Sequence, residues 1–410
     1  MTFELRPTTD DELPLFIRVM EDPFGFHGGE HTLEDFRGVL ELDRTIAAID
    51  TDGAIVGTAG AFTFELTLPG NLTVAAAGVT IVTVHATHRR RGILRSMMRH
   101  QLDDIAARGE PVALLTASES LIYGRFGYGL GVLGANYTIA TDHATLIRPP
   151  TAGGRLRLCT KEEFEEHAPG VYDRRRRQIP GAVNRADTWW TDWLHDREHD
   201  RGGASERWHV LHENDAGEVD GMLAYRRTRD TEHGLSRNQF RIDELYGRDD
   251  EIEAALWQYT FEHDLIHTVV AKGRPVDEPI RWRLADPRQL TTTDVVDDLW
   301  VRIIDVEAAM SARRYGTTDR LVVEAHDEFR PATSGRYAIE GGADHAACTR
   351  TDEPADLTMG IVELGCIYLG GVTPTALHRA RRIDEITPGA MQRADAFFAS
   401  TPSPWMTTGF

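Results

Sequence analysis

Lysine is almost missing from this chain: of 45 basic residues only Lys161 and Lys272 are lysines, and the rest are arginine. Set against 65 acidic residues, they leave a net charge of −20. A lysine-poor, acidic surface of this kind suits a halophilic, high-salt setting, where a screening length of about 3 Å removes any role in long-range steering. The same charge disfavours nucleic acid as a partner, since phosphates need cations against them. Cysteine is scarce as well. Cys159, Cys348 and Cys366 are odd in number and far apart, which excludes a disulfide framework and a CxxC metal site. Cys366 lies in an apolar run and reads as a small core residue. No apolar run approaches the roughly 20 residues that cross a bilayer, and the start, Met1-Thr2-Phe3-Glu4-Leu5-Arg6, lacks a signal-peptide layout. A cytoplasmic protein with no membrane partner is expected. Two nucleotide signatures are absent too: there is no G-x-x-x-x-G-K-[ST], and no G-x-G-x-x-G follows a plausible first strand.

What is present begins with ordinary globular composition, 41% hydrophobic and 27% charged over 410 residues, enough for two to three domains. The most informative stretch runs from Val82, Thr83 and Val84 through His88-Arg89-Arg90-Arg91-Gly92 to Ile93, Leu94 and Arg95. β-branched residues up to Val84 suit a buried strand, while Leu94, Met98, Leu102 and Ile105 recur at helical spacing. The basic turn therefore sits at a helix N-terminus. Unpaired N–H groups and the positive end of the helix dipole favour phosphate there, and Gly92 lets the backbone approach it.

Around this turn the chain reads as a mixed α/β layer. Thr9-Asp10-Asp11-Glu12 matches a capping box for a helix to about Met20. Thr32 to Asp35 suggests a second cap, for a helix carrying Phe36, Val39 and Leu40. Thr45 to Ile49 and Ala54 to Leu66 form a hairpin over Asp52-Gly53. Gly70-Asn71 turns the chain into the strand Leu72 to Val84, followed by a helix from Gly92 to Arg108 and a strand from Val112 to Thr116.

Two further segments carry chemical interest. Ala117-Ser118-Glu119 and Ile122-Tyr123-Gly124-Arg125-Phe126-Gly127-Tyr128-Gly129 follow directly on an apolar strand, where ligand groups gather in sheet enzymes. On spacing alone, either tyrosine serves equally as an aromatic plug. The chain end, Pro404-Trp405-Met406-Thr407-Thr408-Gly409-Phe410, is unusually aromatic for a fraying tail and is expected to dock. Phe24, Phe26 and Phe36 suit either a ligand pocket or the core of the N-terminal helices. His27 and His31 flank Glu30, but no third ligand is evident nearby, and no metal is expected.

These motifs, with Leu299-Trp300-Val301-Arg302, Ala312-Arg313-Arg314-Tyr315 and Tyr368-Leu369-Gly370-Gly371, resemble the Eis (enhanced intracellular survival) family of GNAT N-acetyltransferases over essentially the whole length. The departure is Leu94, which stands where the R/Q-x-x-G-x-G/A acetyl-CoA pattern has a small residue. The resemblance implies an α/β (α+β) fold of two tandem GNAT domains, each a mixed sheet flanked by helices, and a C-terminal α+β domain like sterol carrier protein. The division is expected at residues 1–150, 151–293 and 294–410. The linker Pro149 to Gly154 and the stretch Thr291 to Asp294 mark the boundaries. In the middle domain a helix is expected from Glu251 to Asp264, with no Arg-Arg-x-Gly turn and hence no CoA. In the C-terminal third, strands are expected at Arg320 to Ala325 and Arg336 to Ile339, and helices at Val306 to Arg314 and Asp384 to Ala399.

The resemblance further implies acetyl-CoA as acetyl donor and a small amine as acceptor, either an aminoglycoside, a polyamine-type compound or a protein lysine. It implies Tyr123 as general acid and the α-carboxylate of Phe410 as base. Val82, Thr83 and Val84 would pair with the pantetheine. Arg90, Arg91, Gly92, Ile93, Leu94 and Arg95 would hold the pyrophosphate, with Ser118 and Glu119 closing the other side. A homohexamer is implied as well. The competing reading is a non-catalytic protein, either a CoA-binding sensor or a lipid-binding scaffold, which has no need of both Tyr123 and the terminal Phe410.

Overall fold

A computed structural model describes residues 3–25, 30–233 and 235–410. Phe26 and His27 fall outside the described residues. The chain gathers into two compact units. The first comprises Met1–Val132, Asp298–Thr401 and Thr408–Phe410, and the second comprises Leu133–Asp297 and Pro402–Thr407.

In the first unit the strands Glu4–Arg6, Ile46–Ile49, Ile55–Leu68 and Leu72–Val84 pair antiparallel in sequence order. Val112–Leu115 then joins parallel to Leu72–Val84. On its other side Val112–Leu115 pairs antiparallel with the end of the strand Leu290–Ile303, Trp300 opposite Leu115. Long apolar runs make these strands: Ile55–Leu68 is buried at nearly every position, so both faces of the sheet are covered. The helix Ile93–Ala107 covers one face with Met97, Met98, Leu102 and Ile105. The helix Leu13–Phe24 packs Leu13, Phe16, Ile17 and Met20 against Ala47, Ile55 and Ile81.

Element ends follow local chemistry. Thr9 and Glu12 form the expected capping box, but it closes a 3-10 turn, Asp10–Glu12, and the α-helix follows as Leu13–Phe24. Gly25 stops that helix in the left-handed region at φ 75°. The next helix is Glu30–Val39, so the expected cap at Thr32 is overturned: Thr32 lies inside the helix, whose start is set further upstream.

The same unit holds a second, five-stranded sheet. Its order is Ala346–Arg350, Gly335–Gly341, Asp319–His326, Leu357–Gly360 and Ile383–Glu385, with the helices Val306–Ala312, Ile361–Ile367 and Ala390–Phe398. This is the α+β layer expected of the C-terminal third. Both helices expected there are shorter: the first ends at Ala312, where Arg313 turns extended, and in the second Asp384 and Glu385 belong to an edge strand, while Pro388 with Gly389 at φ 87° delays the helix to Ala390. Arg302 is fully buried and ties the two sheets' connections by pairing with Asp327 at 2.5 Å.

The second unit is a six-stranded sheet ordered Leu133 onward of Gly129–Ala140, Ile266–Pro275, Asn238–Gly247, Val219–Thr228, Trp208–Glu213 and Arg155–Cys159. Asn238–Gly247 and Ile266–Pro275 run parallel and are joined by the helix Asp250–Phe261; the other neighbours are antiparallel. Period-two alternation divides the two faces. Val210 and Leu223 pack with Leu256 of Asp250–Phe261, and Leu211 and Met222 pack with Phe164 and Val171 of the helix Lys161–Arg176. Among the described residues no helix is long and apolar enough to cross a membrane.

Candidate active site

The site grows from a defect in the strand Leu72–Val84. Its pairing with Ile55–Leu68 slips between Thr58, opposite Thr83, and Gly60, opposite Thr80. The extra residue places Ile81 at φ 49°, a left-handed value that a β-branched residue adopts only under constraint. Thr58 supplies the constraint: its hydroxyl donates to the Ile81 carbonyl at 2.8 Å and lies 2.7 Å from the Thr83 hydroxyl. Gly60 leaves room for the bulge, because a Cβ there would lie 3.0 Å from the Ile81 side chain.

The parallel pairing with Val112–Leu115 covers only Ala76 to Gly78. Beyond Gly78 the two strands are unpaired with each other, so Val82 to Val84, whose Thr83 and Val84 pair with Thr58 and Gly57 on the other side, have no described strand along this edge and leave its outward-facing backbone groups open. Such an edge suits a ligand that carries amides of its own.

At the end of the edge lies the basic turn. Arg90 at φ 62° and Gly92 at φ 81° both bend the chain left-handed before the helix Ile93–Ala107 begins. No side chain caps that helix, and its first internal hydrogen bond runs from Ser96 N–H to the Gly92 carbonyl. The N–H groups of Ile93, Leu94 and Arg95 are left for a ligand. Arg89, Arg90 and Arg91 are exposed and make no ion pair among the described residues, while Arg95 lies over the Phe329 ring at 5.4 Å. Space permits a phosphate: a Cβ at Gly92 would meet nothing within 4 Å. Leu94, the departure from the small-residue pattern, is half-buried against the core and leaves the turn's outer side open.

A cavity of about 270 Å³ opens where the strands part, lined by Thr80, Ile81, Val82, Thr116, Ser118, Tyr123 and Phe410, with Met20, Phe24 and Phe36. Tyr123 ends the short helix Ser120–Tyr123; its side chain is largely buried, it lines the cavity, and its hydroxyl makes no hydrogen bond to the described residues. Burial, and then the nearby Glu119 carboxylate, push its pKa up, so it stays protonated at neutral pH. Tyr128 stands 6.0 Å from it, ring to ring, but is fully buried, and its hydroxyl has no hydrogen-bond partner among the described residues. Glu119 is exposed and is not part of the cavity's lining, although its neighbour Ser118 is.

Phe410 enters the same cavity. Its main-chain oxygen accepts from the Thr116 hydroxyl at 3.0 Å, and its ring packs on Phe64 at 5.0 Å. Gly78 is small for a reason, since a Cβ there would overlap the Phe64 ring on which Phe410 packs and would lie 3.1 Å from the Phe410 ring itself. The tail leading to it is held in the second unit. Trp405 donates its backbone N–H to Pro180 and its indole N–H to Gly273, and its ring stacks on Tyr246 at 5.5 Å. Thr407 accepts from Arg185 at 2.6 Å. Thus Tyr123, Phe410, Ser118, Val82, Phe24 and Phe36 come together, and the turn from Arg90 to Arg95 follows Val82 to Val84 at the end of the open edge. Thr116, Thr58 and Met20 were not singled out by sequence; Thr116 alone had a signal, as the end of an apolar strand.

Comparison with known proteins agrees with this architecture. Acetyltransferase (GNAT) domain families match residues 4–131 and 181–303, and the sterol carrier protein domain family matches 306–407. An uncharacterized N-acetyltransferase of Streptomyces coelicolor is 41% identical over 92% of both chains. The N-acetyltransferase Eis of Mycobacterium tuberculosis is 33% identical over 98% of both. The crystal structure of Eis1 from Mycobacterium abscessus superimposes with a TM-score of 0.87 at 32% identity, covering all of both chains. With relatives matched end to end across two GNAT domains and a sterol-carrier-like third, the chain belongs to the Eis family and is a GNAT N-acetyltransferase.

Proposed function

We propose that the first unit moves the acetyl group of acetyl-CoA to a primary amine of a small polyamine-type or aminoglycoside acceptor, with Tyr123 as general acid and the Phe410 carboxylate as base. One observation carries the reading: Tyr123, Phe410 and the open strand edge line a single cavity. Bound acetyl-CoA supplies a thioester to that cavity. The N–H groups of Ile93 to Arg95 and the arginines around them bind its pyrophosphate, and the edge from Val82 to Val84 orients the pantetheine and polarises the acetyl carbonyl. An acceptor arrives as an ammonium and must lose a proton before it attacks. The Phe410 carboxylate, half-buried and held through Thr116, takes that proton directly or through water. Its ordinary pKa of about 3.5 makes it a weak base, suited to relaying the proton onward. As the C–N bond forms and the C–S bond breaks, the Tyr123 hydroxyl passes a proton to the sulfur, and the second proton shed by the new amide nitrogen returns to the Tyr123 oxygen. Phe24 and Phe36 give the acceptor's carbon skeleton an apolar wall.

The finer assignments travel with this reading: a homohexamer, by family resemblance, working in a high-salt cytoplasm, by composition. Sedimentation as a monomer in molar KCl would contradict the first. The function itself is tested by thiol release from acetyl-CoA in molar KCl across aminoglycosides, polyamines and lysine peptides, with Tyr123→Phe as control. Release that depends on acceptor and on Tyr123 supports it. Acetyl-CoA binding without release under any acceptor turns the reading to the non-catalytic sensor.

A further inference from the structure

The second unit repeats the order strand, helix, parallel strand that builds the anion site of the first, with Asn238–Gly247, Asp250–Phe261 and Ile266–Pro275. Its helix start is chemically inverted. Where the first domain places three arginines and Gly92, this one places Arg248, Asp249, Asp250 and Glu251. The Asp249 side chain accepts from the N–H groups of Glu251 and Ile252, each at 3.1 Å, so the donors that would hold a phosphate are already taken. A cavity of about 790 Å³ lies against this acidic start, lined by residues of the second unit only.

A buried dyad faces the cavity. In the hairpin of Trp208–Glu213 and Val219–Thr228, His212 is opposite Gly221 and Glu213 is opposite Val219, which leaves Asp220 as an extra, bulged residue. The Asp220 Oδ1 lies 2.6 Å from His212 Nδ1, and the two residues are 4% and 3% exposed. A carboxylate on Nδ1 fixes the tautomer with its proton there, so Nε2 presents a lone pair. That nitrogen has no partner among the described residues, and His212 lines the cavity. The second Asp220 oxygen accepts no hydrogen bond from the described residues, but the Arg248 guanidinium, 3.2 Å away, balances its charge. The acceptor left open to the cavity is therefore His212 Nε2, which reaches the cavity's solvent and can take a donor from a ligand. Around the dyad, Asp250 is paired with Arg175 and Glu251 with Arg283, whereas the exposed Asp215 makes no ion pair among the described residues. No three metal-ligating side chains converge among the described residues, so an N–H donor fits better than a metal ion.

We propose that this cavity binds a small cationic amine, its ammonium donating to His212 Nε2 and lying near Asp215, as a site separate from the acetyl-transfer cavity and independent of the chemistry assigned there. The test is calorimetric titration of spermidine into the full chain at low salt, with inorganic pyrophosphate as the counter-probe. In Asp220→Asn the side-chain oxygen turns to Arg248 and the amide N–H₂ to His212 Nδ1, which moves the imidazole proton to Nε2 and removes the acceptor. Affinity at this site should fall about tenfold or more, the scale of a charge-assisted hydrogen bond. Asp215→Asn is on the surface, cannot unfold the chain, and should cost about threefold. Acetyl transfer in the first unit should keep its kcat in both variants, and if no transfer is found at all, the binding result stands by itself. Unchanged spermidine stoichiometry and affinity in both variants, or displacement of spermidine from this site by pyrophosphate, overturns the proposal.

Discussion

Removing one oxygen from each of two neighbouring tyrosines separates chemistry from packing. The Tyr123 hydroxyl lines the cavity and makes no hydrogen bond to the described residues, so Tyr123→Phe should change unfolding free energy by less than about 0.5 kcal/mol. Its catalytic cost is that of a lost general acid: about 10²- to 10³-fold in kcat, or about 3–4 kcal/mol of transition-state free energy. The KM for acetyl-CoA should hold, because the binding groups at the strand edge and the basic turn are untouched. Tyr128→Phe should do the reverse. Its hydroxyl is fully buried without a partner among the described residues, and deleting an unsatisfied buried group should leave kcat intact and stabilise the fold by about 1 kcal/mol. Steady-state thiol release from acetyl-CoA with a saturating amine, alongside urea denaturation of both variants, reads all four quantities. Full turnover in Tyr123→Phe would falsify the general-acid assignment, and a matching loss in Tyr128→Phe would show that the region acts by packing alone.

Further expectations concern the rest of the site and the fold. Residues appended after Phe410 should move the carboxylate and lower kcat at least about 100-fold while equilibrium dialysis shows acetyl-CoA still bound; undiminished kcat would assign the base elsewhere. Gly92→Ala meets no neighbour but forces an L side chain to φ 81°, a cost of about 1–2 kcal/mol that should raise the acetyl-CoA KM about tenfold through a misaimed turn. His209 is buried with an unpartnered Nε2, and burial pulls its pKa down to about 4. Because the folded pKa lies below the ordinary value, its contribution is complete above about pH 6.5 and is lost as pH falls toward 4, about 2 kcal/mol by pH 5. Melting temperatures at pH 7 and pH 5 should therefore differ less in His209→Phe than in the parent, and equal differences would refute this. Asp327→Ala leaves the buried Arg302 unpaired and should destabilise by about 3–5 kcal/mol in urea titration.

How much of this was written in local sequence depends on the range of the interaction concerned. The strand Leu72–Val84 is found where the Gly70-Asn71 turn and the β-branched run put it, and the helix Ile93–Ala107 starts directly after Gly92. Short-range chemistry decides both. The helix Ala390–Phe398 was placed too early because Asp384 and Glu385 alternate acceptably for either state, and only pairing with Thr358 and Leu357 makes them strand. The bulge at Ile81 is invisible locally, since it depends on Thr58 reaching across from another strand. The meeting of Thr116 with Phe410 spans 294 positions, and aromatic composition alone announced that the tail would dock. The His212–Asp220 pair has no sequence motif; a register slip in a hairpin creates it.

The parting of Leu72–Val84 from Val112–Leu115 after three residue pairs also bears on how the donor and the fold support each other. An amide-bearing ligand laid along Val82 to Val84 acts as a detachable rung of the sheet, completing a ladder that the polypeptide leaves open. Free energy of binding then becomes free energy of folding, growing as RT ln(1 + [L]/Kd). With the donor placed there as proposed, amide protons near the bulge should exchange more slowly in the complex than in the free protein. On the proposed placement of the donor, a cell rich in acetyl-CoA would hold this enzyme in a more durable form than a starved one.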